Sequence, residues 1–171
     1  MLYIYTGNGK GKTTAAMGQI LRAIGRGKKV CLIQLFKGRE FYGEQKVLTK
    51  LKGLDFYSFA PKHQMCFLTV KTETLKAQCA QALDKLKSVF SGRRKYDVIV
   101  LEEFNIAVRD GYITIDELLE TLNDKASKYD IIVTGRAAHR KLVKKADLVT
   151  EMKEIKHYYK KGVKARMGIE F

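Results

Sequence analysis

The sequence predicts an α/β protein: one domain built on an open, mostly parallel sheet with helices on both faces. Three observations predict it. Short apolar runs alternate with stretches of helical period, the signature of strands and helices taken in turn. The first apolar run, Leu2-Tyr3-Ile4, passes through a glycine-rich loop straight into a helical pattern. A later buried-strand pattern, Val98–Leu101, stops abruptly at two carboxylates, Glu102 and Glu103. A chain of 171 residues can bury a substantial single core, so residues 1–171 are expected to form one domain.

Strands are expected at Leu2–Tyr5, Val30–Leu35, Leu54–Ser58, Val98–Leu101, Ile131–Thr134 and Leu148–Thr150, with a last one near Ala165–Phe171. Between the first two, Ala16, Met17, Ile20, Leu21 and Ile24 recur at helical spacing, and Gly25 and Gly27 can close that helix. Leu75, Cys79, Leu83, Leu86 and Phe90 mark the core face of a long amphipathic helix over Thr74–Phe90. Thr114-Ile115-Asp116-Glu117 has the form of a capping box that opens a helix through Leu118, Leu119 and Leu122. Phe59–Thr69, which holds the single proline Pro61, is the most irregular stretch.

With 33 Lys and Arg against 18 Asp and Glu, the chain carries a net charge of +15. Such an excess steers anionic partners: nucleic acid, an acidic protein or a phosphorylated small molecule. The charges are spread over the whole chain, so composition alone names none of them. No stretch approaches the roughly 18 apolar residues that cross a bilayer, and the first residues lack the features of an export signal. A cytoplasmic protein is expected. Cys31, Cys66 and Cys79 are odd in number and lack C-x-x-C spacing, which suits buried thiols in a reducing compartment.

Tyr5-Thr6-Gly7-Asn8-Gly9-Lys10-Gly11-Lys12-Thr13-Thr14 reads as a phosphate-binding loop. Glycines let successive backbone N–H groups converge on an anion, and the following helix adds its positive end. Gly7, Asn8, Gly9, Lys10, Gly11, Lys12, Thr13 and Thr14 are therefore the candidate nucleotide-binding residues, the nucleotide being ATP by the resemblance given below. Lys12 is the candidate catalytic cation, and Thr13 supplies a hydroxyl for Mg²⁺ (or Mn²⁺). Thr6 stands where the usual pattern has its first glycine. The order strand, loop, helix is that of a phosphate loop, and a P-loop NTPase (RecA-like) architecture is expected for the α/β sheet.

At the end of Val98–Leu101 a carboxylate would lie beside the metal. Because alternate side chains of a strand face opposite ways, only one of Glu102 and Glu103 is expected to reach it, and Glu103 is the chosen ligand. Val133-Thr134-Gly135-Arg136 ends another strand and offers Arg136 to phosphate. His139 and His157 read as surface or structural groups.

These residues, with Gln34-Leu-Phe-Lys-Gly38, Leu101-Glu-Glu103, Ala146-Asp-Leu-Val-Thr-Glu-Met152, Lys156-His157 and Gly168-Ile-Glu-Phe171, resemble the ATP:corrinoid adenosyltransferase family of the phosphate-loop type. The resemblance runs from one end of the chain to the other. It departs at Glu102, where the family has Asp, and at the family's Gly-Phe-Thr-Trp segment, since this chain has no Trp. Phe59 and Phe67 are the aromatic candidates for the corrinoid.

The resemblance implies an enzyme that transfers the 5′-deoxyadenosyl group of ATP to Co(I) of a corrinoid and releases triphosphate, in adenosylcobalamin biosynthesis or salvage. It implies ATP and corrinoid as substrates and a homodimer. The basic surface would receive an acidic, flavodoxin-like reductase, with neither membrane nor nucleic acid as partner. The alternative reading is a nucleic-acid-dependent P-loop ATPase, with Glu103 as base or metal ligand and the positive charge as the nucleic-acid track.

Overall fold

In the computed structural model, residues 1–38, 42–60, 70–93 and 95–171 are described. Among these residues six strands form one sheet: β1 (Leu2–Thr6), β2 (Val30–Leu35), β3 (Leu54–Phe59), β4 (Val98–Glu102), β5 (Asp130–Thr134) and β6 (Leu148–Glu151), in the order β3-β2-β4-β5-β1-β6. Every pairing is parallel. The carboxyl ends of β1, β2, β4 and β5 consequently share one edge of the sheet, where open α/β folds bind ligands.

Among the described residues the helices are α1 (Lys12–Ile24), α2 (Gly43–Leu48), α3 (Thr72–Ser91), α4 (Phe104–Arg109), α5 (Ile115–Leu122) and α6 (Arg140–Lys145). They divide between the two faces, and the period-2 alternation of the strands decides the division. Cys31, Ile33 and Leu35 of β2, Ile99 and Leu101 of β4, and Ile131 and Val133 of β5 pack with α3, α4, α5 and α6. Val30 and Leu32, Val98 and Val100, and Ile132 turn the other way, onto Ala16, Met17, Ile20 and Ala23 of α1 and Leu48 of α2. The central strands β2 and β4 are buried at every position, as strands covered on both faces must be.

The expected helices form. α3 buries Leu75, Cys79, Leu83 and Leu86, with Ala82 and Val89 added. α5 opens on a complete capping box: Thr114 Oγ1 accepts from the Glu117 N–H, and the Glu117 carboxylate accepts from the Thr114 N–H. Cys31 and Cys79 are buried thiols, and burial pushes the Cys79 thiol up to about 12. Cys66 and Pro61 lie outside the described residues. Among the described residues no helix is long and apolar enough to cross a membrane.

One expected strand is corrected. Residues 165–171 do not join the sheet; they form turns after a short 3-10 segment, Tyr158–Lys161. Gly168 takes a left-handed φ of 77° and donates its N–H to the Phe171 carbonyl at 2.7 Å, which folds the segment back on itself. A strand cannot accommodate that turn.

Thr114→Ala removes the cap of α5. It should lower the free energy of unfolding by about 1 kcal/mol, read as a fall in the urea midpoint with an unchanged slope.

Candidate functional site

The loop between β1 and α1 is shaped by its neighbour as much as by its own residues. β6 runs in register beside β1, with Thr6 opposite Glu151, so the chain after β6 lies along the loop. Met152 donates its N–H to the Thr6 carbonyl at 2.8 Å, and its own carbonyl accepts from the Gly9 N–H at 2.7 Å. A Cβ on Gly7 would come within 2.4 Å of the Met152 carbonyl oxygen, and one on Gly9 within 2.7 Å of the same atom. Gly7 and Gly11 also have φ of 97° and 114°, a region that a side chain rarely tolerates.

Lys12, the first residue of α1, folds back across this loop. Its ammonium donates to the Gly7 carbonyl at 2.8 Å and the Gly9 carbonyl at 2.7 Å. Burial lowers its pKa and Arg136 adds to the effect, while Glu103 and Glu102 oppose it. Lys10 points elsewhere: its ammonium donates to the Ile169 carbonyl at 2.6 Å and to the Glu170 carboxylate at 2.7 Å.

The carboxylate of Glu102 is fully buried. It shares its strand face with Val98 and Val100, and hence faces α1. There it accepts from the Thr13 hydroxyl at 2.6 Å and from the Lys37 ammonium at 2.9 Å; its second oxygen accepts from the Thr134 hydroxyl. The Lys37 ammonium also donates to Thr13 Oγ1 at 2.8 Å. Burial alone would raise the Glu102 pKa, but Lys37 and these hydrogen bonds outweigh it and hold the carboxyl below its usual range. Reciprocally, burial would lower Lys37, and Glu102 with Glu103 keeps it raised and charged.

Glu103 leaves the strand pattern altogether. Its φ of 66° places it in the left-handed region as the residue before α4, and its N–H donates to the Thr134 hydroxyl at 3.0 Å. The Glu103 side chain is turned toward Gly135, where a Cβ would sit 3.2 Å from Oε2. That buried Oε2 has no hydrogen-bond partner among the described residues. Burial, then the neighbouring Glu102 charge, pushes its pKa up to about 7.

Asn8, Gly9, Lys10, Gly11, Lys12, Thr13, Thr14, Glu103 and Arg136 line a single cavity of about 670 Å³, completed by Lys37, Tyr42 and Glu44 on one side and by residues 168–171 on the other. Gly7 lies behind it, packed on Met152. Phe59 is not brought into it: at the end of edge strand β3 it packs on the core of the opposite face. Phe67 lies outside the described residues.

Sequence reasoning missed Lys37 and the part played by Glu102. The signal for Glu102 was available, because strand parity groups it with Val98 and Val100 on the α1 side. Lys37 lies in the Gln34-Leu-Phe-Lys-Gly38 segment of the family resemblance, but nothing local announced its role: Phe36, at a φ of 61°, turns the chain after β2 in a way that its residue type does not announce.

The whole chain, residues 1–171, matches the family described as ATP:corrinoid adenosyltransferase BtuR/CobO/CobP. It is 34% identical over 171 residues to the corrinoid adenosyltransferase of Escherichia coli (strain K12), covering 100% of this chain and 85% of that protein. It is 35% identical to the corrinoid adenosyltransferase CobA of Salmonella typhimurium over the same shares, and 34% identical to the Pseudomonas aeruginosa corrinoid adenosyltransferase over 100% of this chain and 83% of the relative.

The raised Glu103 carboxyl makes stability pH-dependent. The folded state holds a proton that the unfolded chain releases near pH 4.5, so this residue's destabilising contribution grows as pH rises from about 4.5 to about 7. Glu103→Gln should remove it. Relative to the parent chain, the variant should gain on the order of 3 kcal/mol between pH 5 and pH 8, measured by urea unfolding at both values.

Proposed function

The chain belongs to the ATP:corrinoid adenosyltransferase family, and we propose that its phosphate loop and the charges around it grip the triphosphate of ATP while Co(I) of a reduced corrinoid takes the adenosyl group. The observation that carries this reading is the convergence of Lys12, Lys37 and Arg136 with the loop on one cavity. Cations lining one pocket, with Lys37 already paired to Glu102, suit a leaving group that departs whole with its negative charge.

The reaction needs no general base. The electron pair of Co(I) forms a bond to C5′ of the ribose, the C5′–O bond breaks, and its electrons leave on the triphosphate oxygen; the cobalt ends two electrons more oxidised. Lys12 leaves the Gly7 and Gly9 carbonyls for the phosphate oxygens, and Arg136 closes on the same charge from the β5 end. The remaining work is alignment of cobalt, carbon and leaving oxygen. Gly7, Asn8, Gly9, Gly11 and Thr14 shape the cradle, with α1 contributing its N-terminal end.

A divalent cation fits the residues present. Glu103 Oε2 is a buried acceptor without a partner among the described residues, and the Thr13 hydroxyl, which donates a hydrogen bond to Glu102 and accepts one from Lys37, keeps one oxygen lone pair for a metal. Thr13 and Glu103 would hold Mg²⁺, phosphate oxygens and water completing its shell. The bound ion would supply further positive charge to the departing triphosphate. Among the described residues no group of three or more acidic, His or Cys side chains could hold a metal, in keeping with an ion that arrives with its nucleotide.

We assign residues 1–171 to one domain that works as a homodimer. The edge strand β6, exposed at all four residues with Leu148 and Val149 among them, supports pairing with another copy. The net charge of +15 supports an acidic, flavodoxin-like electron donor. Phe67 and, from outside the loop's cavity, Phe59 are the aromatic candidates for the corrinoid side.

An anaerobic assay with ATP, Mg²⁺ and chemically reduced corrinoid should yield a cobalt–carbon product and intact triphosphate in equal amounts. Phosphate release stimulated by polynucleotide, without that product, would instead indicate an ATPase. Lys12→Ala should lower turnover about a hundredfold with little change in corrinoid affinity by direct titration; equal loss of both counts against its assigned role. Coupled reduction by an acidic flavoprotein should slow steeply as salt rises from about 0.05 to 0.5 M, whereas the chemically reduced reaction should not.

A further inference from the structure

The cluster around Lys10 has no place in the chemistry above. Lys10 stands in the middle of the phosphate loop, yet all its donors are directed to the far end of the chain: the Ile169 carbonyl at 2.6 Å, Glu170 Oε1 at 2.7 Å and, at 3.5 Å, the Tyr158 hydroxyl. Tyr158 donates to the same Glu170 oxygen. The other Glu170 oxygen accepts from the Arg166 N–H at 2.7 Å, and the Arg166 guanidinium lies 4.9 Å from the centre of the Tyr158 ring. Residues 161–169 are exposed throughout, and only Glu170 and Phe171 are half-buried. With so little apolar burial in this segment, the Lys10–Glu170 cluster is what sets its position.

The segment thus fixed borders the cavity of the phosphate loop, with Ile169 and Phe171 among its lining residues. Apolar side chains and a carboxylate already neutralised by Lys10 offer a triphosphate nothing. They suit the flat, largely apolar face of a nucleoside.

We propose that residues 166–171 form a strap walling the nucleoside end of the pocket, and that Lys10 is a positioning residue which pins this strap through Glu170 instead of binding phosphate. The proposal rests on the reading of the cavity as an ATP site and adds to it the element that would recognise the adenosine. It makes the grip on the nucleoside separable from the grip on the triphosphate. The Lys10 side chain is 42% exposed and that of Glu170 16%, so the pin is partly screened, and a moderate effect is expected from breaking it.

The test measures dissociation constants for MgATP and for magnesium tripolyphosphate by calorimetry on the full chain. Lys10→Met and Glu170→Gln should each weaken ATP binding about tenfold and leave tripolyphosphate within about twofold, and the double variant should be no weaker than either single one. Lys10→Arg, which keeps the charge and the donors, should restore most of the ATP affinity. Circular dichroism of each variant checks the fold, and Glu170→Gln, lying outside the sheet and its packed helices, keeps the test open should Lys10→Met fold poorly. Equal losses for tripolyphosphate and ATP would make Lys10 a phosphate ligand and overturn the proposal, as would unchanged ATP affinity in Glu170→Gln. A parent chain that binds neither would overturn the functional reading and this inference with it; adenosyl transfer by the parent chain, with ATP affinity indifferent to both substitutions, would overturn the strap alone.

Discussion

Glu102 is a fully buried carboxylate, and the arrangement of the site follows from how its charge is met. Desolvation of an ion of this size costs several kcal/mol unless partners compensate it. Here the partners come from three separate parts of the chain: Thr13 from the start of α1, Lys37 from the turn after β2, and Thr134 from the end of β5. Each is held at the carboxyl edge of the sheet by the same demand. The interaction therefore ties the phosphate loop to three strands and fixes the Thr13 hydroxyl in a definite orientation.

That fixed hydroxyl leaves Glu103 to play a different part. Two adjacent carboxylates cannot both be charged and buried without support, and the support goes to Glu102. Glu103, turned out of the strand by its left-handed backbone, keeps an oxygen without a partner and a carboxyl shifted toward neutrality. Such a group responds to any cation placed before it. In the functional reading this is where a nucleotide-borne metal acts, while Glu102 remains a structural anion.

The phosphate loop is supported from behind by backbone, not by side chains. Met152 is bonded to Thr6 and Gly9, and the glycines allow an approach that any Cβ would block. The same segment continues into the turns that carry Glu170 back to Lys10. Strand β6 and the residues after it thus hold the loop's backbone while leaving its cavity side open.

By itself the sequence determined the class of fold, the strand and helix sites that pattern and capping announce, and a glycine-rich loop between the first strand and the first helix. Those features are local: an alternation of period 2, a helical stripe, a Thr-x-x-Glu box, a run of glycines. The parity of β4 already contained the direction of Glu102. Tertiary structure decided the rest. Lys37 meets Glu102 across 65 residues and Lys10 meets Glu170 across 160, and pairings over such separations are fixed by strand order and by the need to compensate buried charge. The expectation of a strand over 165–171 failed for the same reason: only the packed fold shows that a turn at Gly168 brings Glu170 back to Lys10, with residues 165–169 left exposed.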